Sequence, residues 1–357
     1  MRIFHVAVDR FTELDALPVT LPATGFLWIG LARRVFEQRL TEVQGLLHGW
    51  TGGALVDLHV SDLLNDQLTS QYDYTSWYDL VVFRRLAAGS TALDDAPGSE
   101  ALALAAIDTS PVGFAVFDRV LLTVHSNECA VREFFAQRLT SQAAGVEARG
   151  TARLPSSPAD LMLRMVNHMV DSYLDLRRQL TRRLGLLQQQ LLDPESHFRD
   201  WQMVLGSRNA LHLLEDTCED QRSALQEWID ALDEWPTESE PHARRERELL
   251  RVRSRDVLEH VERVLSHVRR VGESVEAAVQ MHFSALGNRT NDIMRVLTVL
   301  TAIFLPLNLI TGFFGMNFDS LPLIHSTTGV LVIFGLMVAL GLGLVAFFWR
   351  QRFIDRD

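Results

Sequence analysis

Residues 296–315 read VLTVLTAIFLPLNLITGFFG, and 329–349 read GVLVIFGLMVALGLGLVAFFW. Across the whole interval from Val296 to Trp349 the only ionisable side chains are Asp319 and His325. A hydrocarbon core of about 30 Å takes about 20 apolar residues at a rise of about 1.5 Å each, so either run is long enough to cross it once. The intervening Met316 to Thr328 is too short for a domain and contains no Arg. Arg289 and Arg295 precede the first run, and Arg350, Arg352 and Arg356 follow the second. Positive charge on the flanks and none in the loop places both termini in the cytoplasm and the loop outside.

Working back from the first span, no proline interrupts the chain between Pro241 and Pro306. A single helix over 242–295 would extend about 80 Å from the membrane. It carries a seam: Val257, Val261, Val264, Val268, Val271, Val275 and Ala278 are spaced alternately by four and three, as in helices that pack along their length. The seam can be buried within the chain's own helical bundle or against a symmetry axis, and the two can hold on different faces. Pro236 to Pro241 break the chain ahead of this helix. Before it the pattern gives two helices, about 159–192 and 197–234, entered through Leu154-Pro155-Ser156-Ser157-Pro158.

The first 155 residues alternate β-like runs with short helices. Arg2 to Val8, Phe26 to Leu31, Leu80 to Phe83, Gly113 to Phe117 and Val120 to Val124 suit a sheet, and helices are expected at about 33–47, 60–69 and 130–142. The resulting plan is a cytoplasmic α/β or α+β domain (1–155), a helical hairpin (156–241), a stalk helix (242–295), a first span (296–315), an outer loop (316–328), a second span (329–349) and a cytoplasmic tail (350–357).

The net charge is −11, and all 34 basic residues are Arg. An acidic body argues against nucleic acid as a partner and is compatible with attracting cations. Met1 leads directly into a strand-like segment rather than a basic, then apolar leader, so the large polar part is expected to stay in the cytoplasm. Cys129 and Cys218 are too isolated for a disulfide framework or a thiolate metal site and read as reduced. No phosphate-binding glycine loop, nucleophile motif or zinc-hydrolase pattern is present, Gly52-Gly53 reads as a turn, and neither an enzyme nor a prosthetic group is expected.

Two helices cannot enclose a pore, so transport would need several subunits around an axis. The first span offers a lining. Stepping by three and four from Asn291 gives Asn291, Met294, Thr298, Thr301, Leu305, Asn308, Gly312 and Gly315, a stripe of amides, hydroxyls and small residues on an otherwise Leu, Ile, Val and Phe helix. The second span has no such stripe and is expected to face lipid. The competing reading is that Thr and Gly only mediate helix packing.

The first span ends in Phe314, then Gly315-Met316-Asn317-Phe318. This resembles the Gly-Met-Asn signature that closes the first transmembrane helix in the CorA family of magnesium and cobalt transporters. Asn288 to Met294 is similar to the family's stretch before the membrane, and Phe304-Leu305-Pro306-Leu307 to its mid-helix proline segment. Arg255-Asp256-Val257 lies where the family's stalk carries a regulatory aspartate. The resemblance is specific over about 250–320.

It implies a homopentameric funnel in the inner membrane that conducts hydrated Mg²⁺, and also Co²⁺ or Ni²⁺. A ring of Asn317 would stand at the outer mouth, shaped by the Gly315 and Met316 backbone. Mg²⁺ gives up its water reluctantly, so neutral carbonyl oxygens that bind its water shell can select it. Asn291 and Asn308 would add polar rings, while Met294, Leu297 and Leu305 would form constrictions closed by dewetting. Asp256 would hold an intracellular regulatory divalent cation with an N-terminal carboxylate of the neighbouring subunit, Asp79 first and Asp73 second. The outer loop has one carboxylate, Asp319, and the basic tail is short, which loosens the assignment to magnesium. The ZntB branch, with zinc uptake and proton coupling, is the near alternative, for which Asp256 and His260 are an i, i+4 pair and His267 and His282 lie on the same helix. A membrane-anchored sensor or scaffold without ion flux is the more distant one.

Overall fold

The structure is a computed structural model that describes residues 1–88, 107–143, 153–193, 201–234, 241–316 and 327–351. The described strands are β1 (Arg2–Val6), β2 (Phe11–Leu14), β3 (Phe26–Ala32), β4 (Gln71–Tyr74), β5 (Asp79–Arg84), β6 (Ala87–Ala88), β7 (Ile107–Asp108), β8 (Pro111–Val116) and β9 (Val120–His125). The helices are α1 (Arg33–Gln38), α2 (Leu40–Thr51), α3 (Asp57–Leu64), α4 (Ala130–Ala143), α5 (Pro158–Asp171), α6 (Tyr173–Leu192), α7 (Trp201–Glu234), α8 (Pro241–Phe314) and α9 (Thr327–Arg350). They form two compact units, Met1–Gln190 with His197–Glu276, and Leu191–Ser196 with Ala277–Asp357.

In the first unit, β3 reads FLWIGLA and every residue of it is buried. A strand reads that way when both faces of its sheet are covered. The sheet has seven strands in the order β2-β1-β3-β9-β8-β5-β4, with β3 and β9 parallel and the other pairs antiparallel. Alternate residues supply two cores. Phe4, Trp28, Phe83 and Phe114 pack with α4, α5, α7 and the upper part of α8. Ile3, Ile29, Leu80 and Leu122 pack with α1, α2 and α3. Gly52 ends α2 in the left-handed conformation, φ 79°, and the Trp77 ring lies over Gly53 so closely that a Cβ there would come 2.5 Å from it.

Several local boundaries differ from the sequence reading. The helix expected over 159–192 is two, because α5 ends at Asp171 and α6 starts at Tyr173. Between them Ser172 places its hydroxyl 3.1 Å from the carbonyl oxygen of Leu86. The helix expected at 33–47 is likewise two, divided at Arg39, and that expected at 60–69 is α3, which stops before Asn65. The edge strands β2 and β4 add two more to the five expected, together with the short pair β6 and β7.

The valine seam is buried within this one chain. Val257, Val261, Val268, Val275 and Ala278 are buried, and Val264 and Val271 are half-buried. Polar contacts fix the register: Trp228 Nε1 donates to Ser254 Oγ at 3.0 Å, and Gln188 Nε2 to Ser274 Oγ at 2.7 Å. Tyr173 Oη lies 2.8 Å from His267 Nδ1. Of the two readings of the seam, packing inside the chain's own bundle is therefore the one realised on this face.

In the second unit, the buried ring of His282 lies with Nδ1 2.7 Å from the Leu191 carbonyl oxygen. From there residues 283–298 are all exposed in the single chain. The first residue buried again is Val299, where α8 meets α9. Val299, Ala302, Ile303, Pro306, Leu307, Ile310 and Phe314 form the covered face of α8, and Ile333, Met337, Leu340, Gly341, Leu344 and Phe348 that of α9. Gly341 lets the helices close: a Cβ there would lie 3.8 Å from Leu307 Cδ1. Both helices are long and apolar enough to cross a membrane.

Candidate functional site

At about 100° per residue, the covered face of α8 and the polar stripe read from the sequence lie about 150° apart. The structure agrees. Asn291, Met294, Thr298, Thr301, Leu305, Asn308, Gly312 and Gly315 are all exposed in the single chain, as is Leu297. From Thr301 onward the stripe is thus turned away from the face that α9 covers, so packing of these Thr and Gly residues against the second span is not what they do in this chain. Thr298 Oγ1 donates to the Met294 carbonyl and Thr301 Oγ1 to that of Leu297, each at 2.8 Å. Pro306 lies inside α8 on the covered face. The helix closes with Gly315 N–H donating to Thr311 O at 2.9 Å. Met316 is described and exposed, while Asn317 and the loop through 326 lie outside the described residues.

A second set of groups lies in the first unit. Asp256 is exposed on α8 and lines a cleft of about 290 Å³ between α4, α5 and α8. Asp171 lines the same cleft, with Arg138, Arg164 and Arg253. Two of these guanidinium groups are already engaged. Asp160, 3% exposed, accepts Arg164 Nη2 at 3.0 Å and pairs with Arg253, and its backbone N–H is capped by Ser157 Oγ. Nothing in the sequence alone singled out Asp160. An Asp beside Ser-Pro at a helix start signals a cap, but not a buried ion pair reaching 93 residues ahead to Arg253.

The two expected partners of Asp256 have local partners of their own. Asp79 is half-buried and accepts the Tyr72 hydroxyl at 2.7 Å. Burial pushes its carboxyl above the usual range and Asp118 adds to this, against the opposing Tyr72 bond. Asp73 Oδ2 lies 2.9 Å from Nε2 of the buried His59, whose Nδ1 is 2.8 Å from Tyr78 Oη. Of the stalk histidines, His260 Nδ1 lies 3.6 Å from Asp171 Oδ1, His267 meets Tyr173, and His282 meets Leu191. Among the described residues, no three His, Cys, Asp or Glu side chains converge as a direct metal cage.

A family model described as CorA-like Mg²⁺ transporter protein matches residues 57–352. The cobalt/magnesium transport protein CorA of Thermotoga maritima is 30% identical over 100 residues, 28% of this chain and 28% of that protein. The magnesium transport protein CorA of Haemophilus influenzae is 29% identical over 101 residues, 28% of this chain and 32% of that protein. The chain thus spans about three-tenths of the length of these curated relatives. The complete structure of the CorA magnesium transporter from Methanocaldococcus jannaschii superposes with a TM-score of 0.71 at 18% identity, over 98% of this chain and 97% of that one. The likeness therefore extends to the whole architecture: an α/β unit, long helices and two C-terminal apolar helices. With a family match that starts at α3 and runs through both apolar helices, the chain belongs to the CorA-like family of Mg²⁺ transporter proteins.

Proposed function

We propose that this chain is one subunit of a homopentamer that carries hydrated divalent cations, Mg²⁺ first and Co²⁺ or Ni²⁺ with it, across the inner membrane. Both termini are cytoplasmic in this reading, and the acidic body faces the cytoplasm. The observation that carries it is the stripe from Asn291 to Gly315. Its residues are exposed together, opposite the face that packs on α9, in a chain whose α8 otherwise presents Leu, Val and Phe. A polar stripe left bare on a membrane helix is costly in lipid and is accommodated when copies turn it toward a shared aqueous axis. Asn317, next after Met316, forms the ring at the outer mouth. Asn308 and Asn291 supply further oxygens, and Met294, Leu297 and Leu305 supply the narrow dry positions.

Gating rests on Asp256 and a carboxylate of the neighbouring copy, Asp79 before Asp73. Asp256 suits a regulatory cation because its carboxylate is exposed and the nearby Arg253 and Arg164 are held by Asp160. A cation between two such carboxylates relieves their repulsion and favours the closed arrangement, and its loss favours the open one.

The test is cation flux into liposomes holding the purified protein. Mg²⁺ uptake is expected, with Asn317→Ala abolishing it while assembly is retained. A folded pentamer that moves no divalent ion would instead indicate a scaffold. Uptake of Zn²⁺ alone, dependent on a pH gradient, would favour the zinc branch.

A further inference from the structure

The carboxyl ends of three strands meet at one edge of the seven-stranded sheet. β3 and β9 run parallel, and β5 runs with them because it and β9 are both antiparallel to β8. The chain leaving β3 forms α1, α2 and α3 on the face of Ile3 and Ile29, whereas the chain leaving β9 forms α4 on the face of Phe4 and Trp28. Neighbouring parallel strands whose next helices go to opposite faces open a crevice at their carboxyl ends, where α/β sheets take their ligands. Cations gather at this edge. Arg33 follows β3, Arg84 ends β5 with Arg85 next to it, and Arg132 of α4 has Nη1 3.4 Å from Nε2 of His125, the last residue of β9. Arg85 is paired with Asp108 at 3.2 Å, and Arg132 with Glu133. Arg33 and Arg84 pair with no carboxylate among the described residues. Arg33 Nη2 donates to the Pro111 carbonyl at 2.6 Å. Arg84, directly opposite Pro111 in the ladder, donates to the Leu68 carbonyl at 2.9 Å and to Thr109 Oγ1 at 3.2 Å.

We propose that Arg33 and Arg84 bind a phosphate group at this edge of the sheet, free or as the ester of a small metabolite. The inference does not depend on the pore reading. Both side chains are half-buried and all three of their acceptors are neutral, so two charges are partly withdrawn from water with no counter-ion in contact. Burial lowers the pKa of both guanidiniums; at Arg33 the charge of Asp66 opposes this and that of Arg84 adds to it. Asp66 is exposed and acts on the pair from beyond ion-pair contact, as Asp220 does on Arg84. A guanidinium carries more N–H donors than these bonds use. A carboxylate is planar and is saturated by one guanidinium fork, whereas a tetrahedral phosphate presents oxygens in several directions and can accept from two guanidiniums on different elements. Its double charge matches the two cations that lack a partner.

The competing role is purely structural: the two arginines fasten the Leu68 and Pro111 carbonyls, and Asp66 with water balances their charge. Titration calorimetry of the full chain in detergent separates the two roles. The probes are inorganic phosphate and, in parallel, a nucleoside monophosphate, at an ionic strength held constant with chloride and without divalent cations. Saturable binding of at least one probe is expected: inorganic phosphate alone suffices if the group itself is read, and binding of the ester only would identify the ester as the source. Arg33→Gln, which keeps an amide donor but no charge, is expected to weaken binding at least about tenfold. Asp66→Asn, at an exposed position, removes the standing counter-charge and is expected to tighten binding about threefold. Thermal unfolding checks that each variant is folded, and if Arg33→Gln is not, Asp66→Asn decides alone. No saturable binding of either probe, or binding unchanged in the folded variants, would overturn the inference and leave the transport reading untouched.

Discussion

The helix α8 has two contrasting stretches, one in each unit. Over Leu250 to Ala278 the residues Leu250, Val257, Val261, Leu265, Val268, Val275 and Ala278 are buried by the same chain, Leu258, Val264 and Val271 are half-buried, and Val252 is exposed. Over 283–298 no residue is buried at all, although Phe283, Leu286, Ile293, Met294, Val296 and Leu297 are as apolar as the valines above. A large apolar side chain contributes about 1.5–3 kcal/mol when covered, so such a stretch is not a stable end state in water. Lipid can cover the part from Val296 onward. The part before it carries Asn288, Arg289, Asn291 and Asp292 among the apolar residues and suits other protein better than acyl chains. The first stretch is therefore covered by its own chain, and the second is left uncovered by it.

The contrast can be broken or sharpened by measuring stability in one half and assembly in the other. The largest expected effect is on pH. His125 is buried, and that burial, joined by the charges of Arg132 and Arg33 and opposed by its bond to the Ser126 carbonyl, lowers its pKa to about 4. Between the ordinary value of about 6.5 and about 4 the unfolded chain takes up a proton that the folded unit refuses. Stability is therefore kept above about pH 6.5 and falls by up to about 3 kcal/mol as pH drops toward 4. Thermal unfolding of the first unit should show this slope, and His125→Gln should flatten it. An unchanged slope in the variant would remove His125 from the account.

Next in size is Val268→Ala in the buried seam, expected to cost about 2 kcal/mol in denaturant unfolding. The matching change below, Leu286→Ala, is expected to shift unfolding of the dispersed chain by less than about 0.5 kcal/mol while lowering the fraction assembled as the proposed pentamer. Equal unfolding costs at the two positions would erase the distinction between the halves.

How far the sequence reveals this depends on which physical signal is local. The spans are legible because charge is absent from 296–315 and 329–349, and the length of α8 because no proline interrupts it before Pro306. The stripe is a matter of helical spacing, which the sequence carries in full. The break at Ser172 is hidden, since Asp171-Ser172-Tyr173 contains no breaker; there the Ser172 hydroxyl meets the carbonyl oxygens of both Met169 and Leu86. The strand β4, Gln71-Tyr72-Asp73-Tyr74, is polar because it is an edge, so it lacks the apolar run that betrays β3. The pairings Asp160 with Arg253 and Asp73 with His59 join residues whose spacing along the chain says nothing about their meeting.

The central claim is that the stripe of α8 faces a shared aqueous path. Cysteines placed one at a time along the span can test it. The native Cys129 and Cys218 are buried, and burial raises both thiols, Cys218 to about 12, so they should stay silent to a charged thiolate reagent. Mg²⁺ flux is measured before and after such a reagent for Thr301→Cys, Leu305→Cys and Asn308→Cys, and for Leu300→Cys, Ile303→Cys and Ile310→Cys. Block confined to the first three is the expected result. Block at Leu300→Cys or Ile310→Cys with none at Asn308→Cys would contradict it.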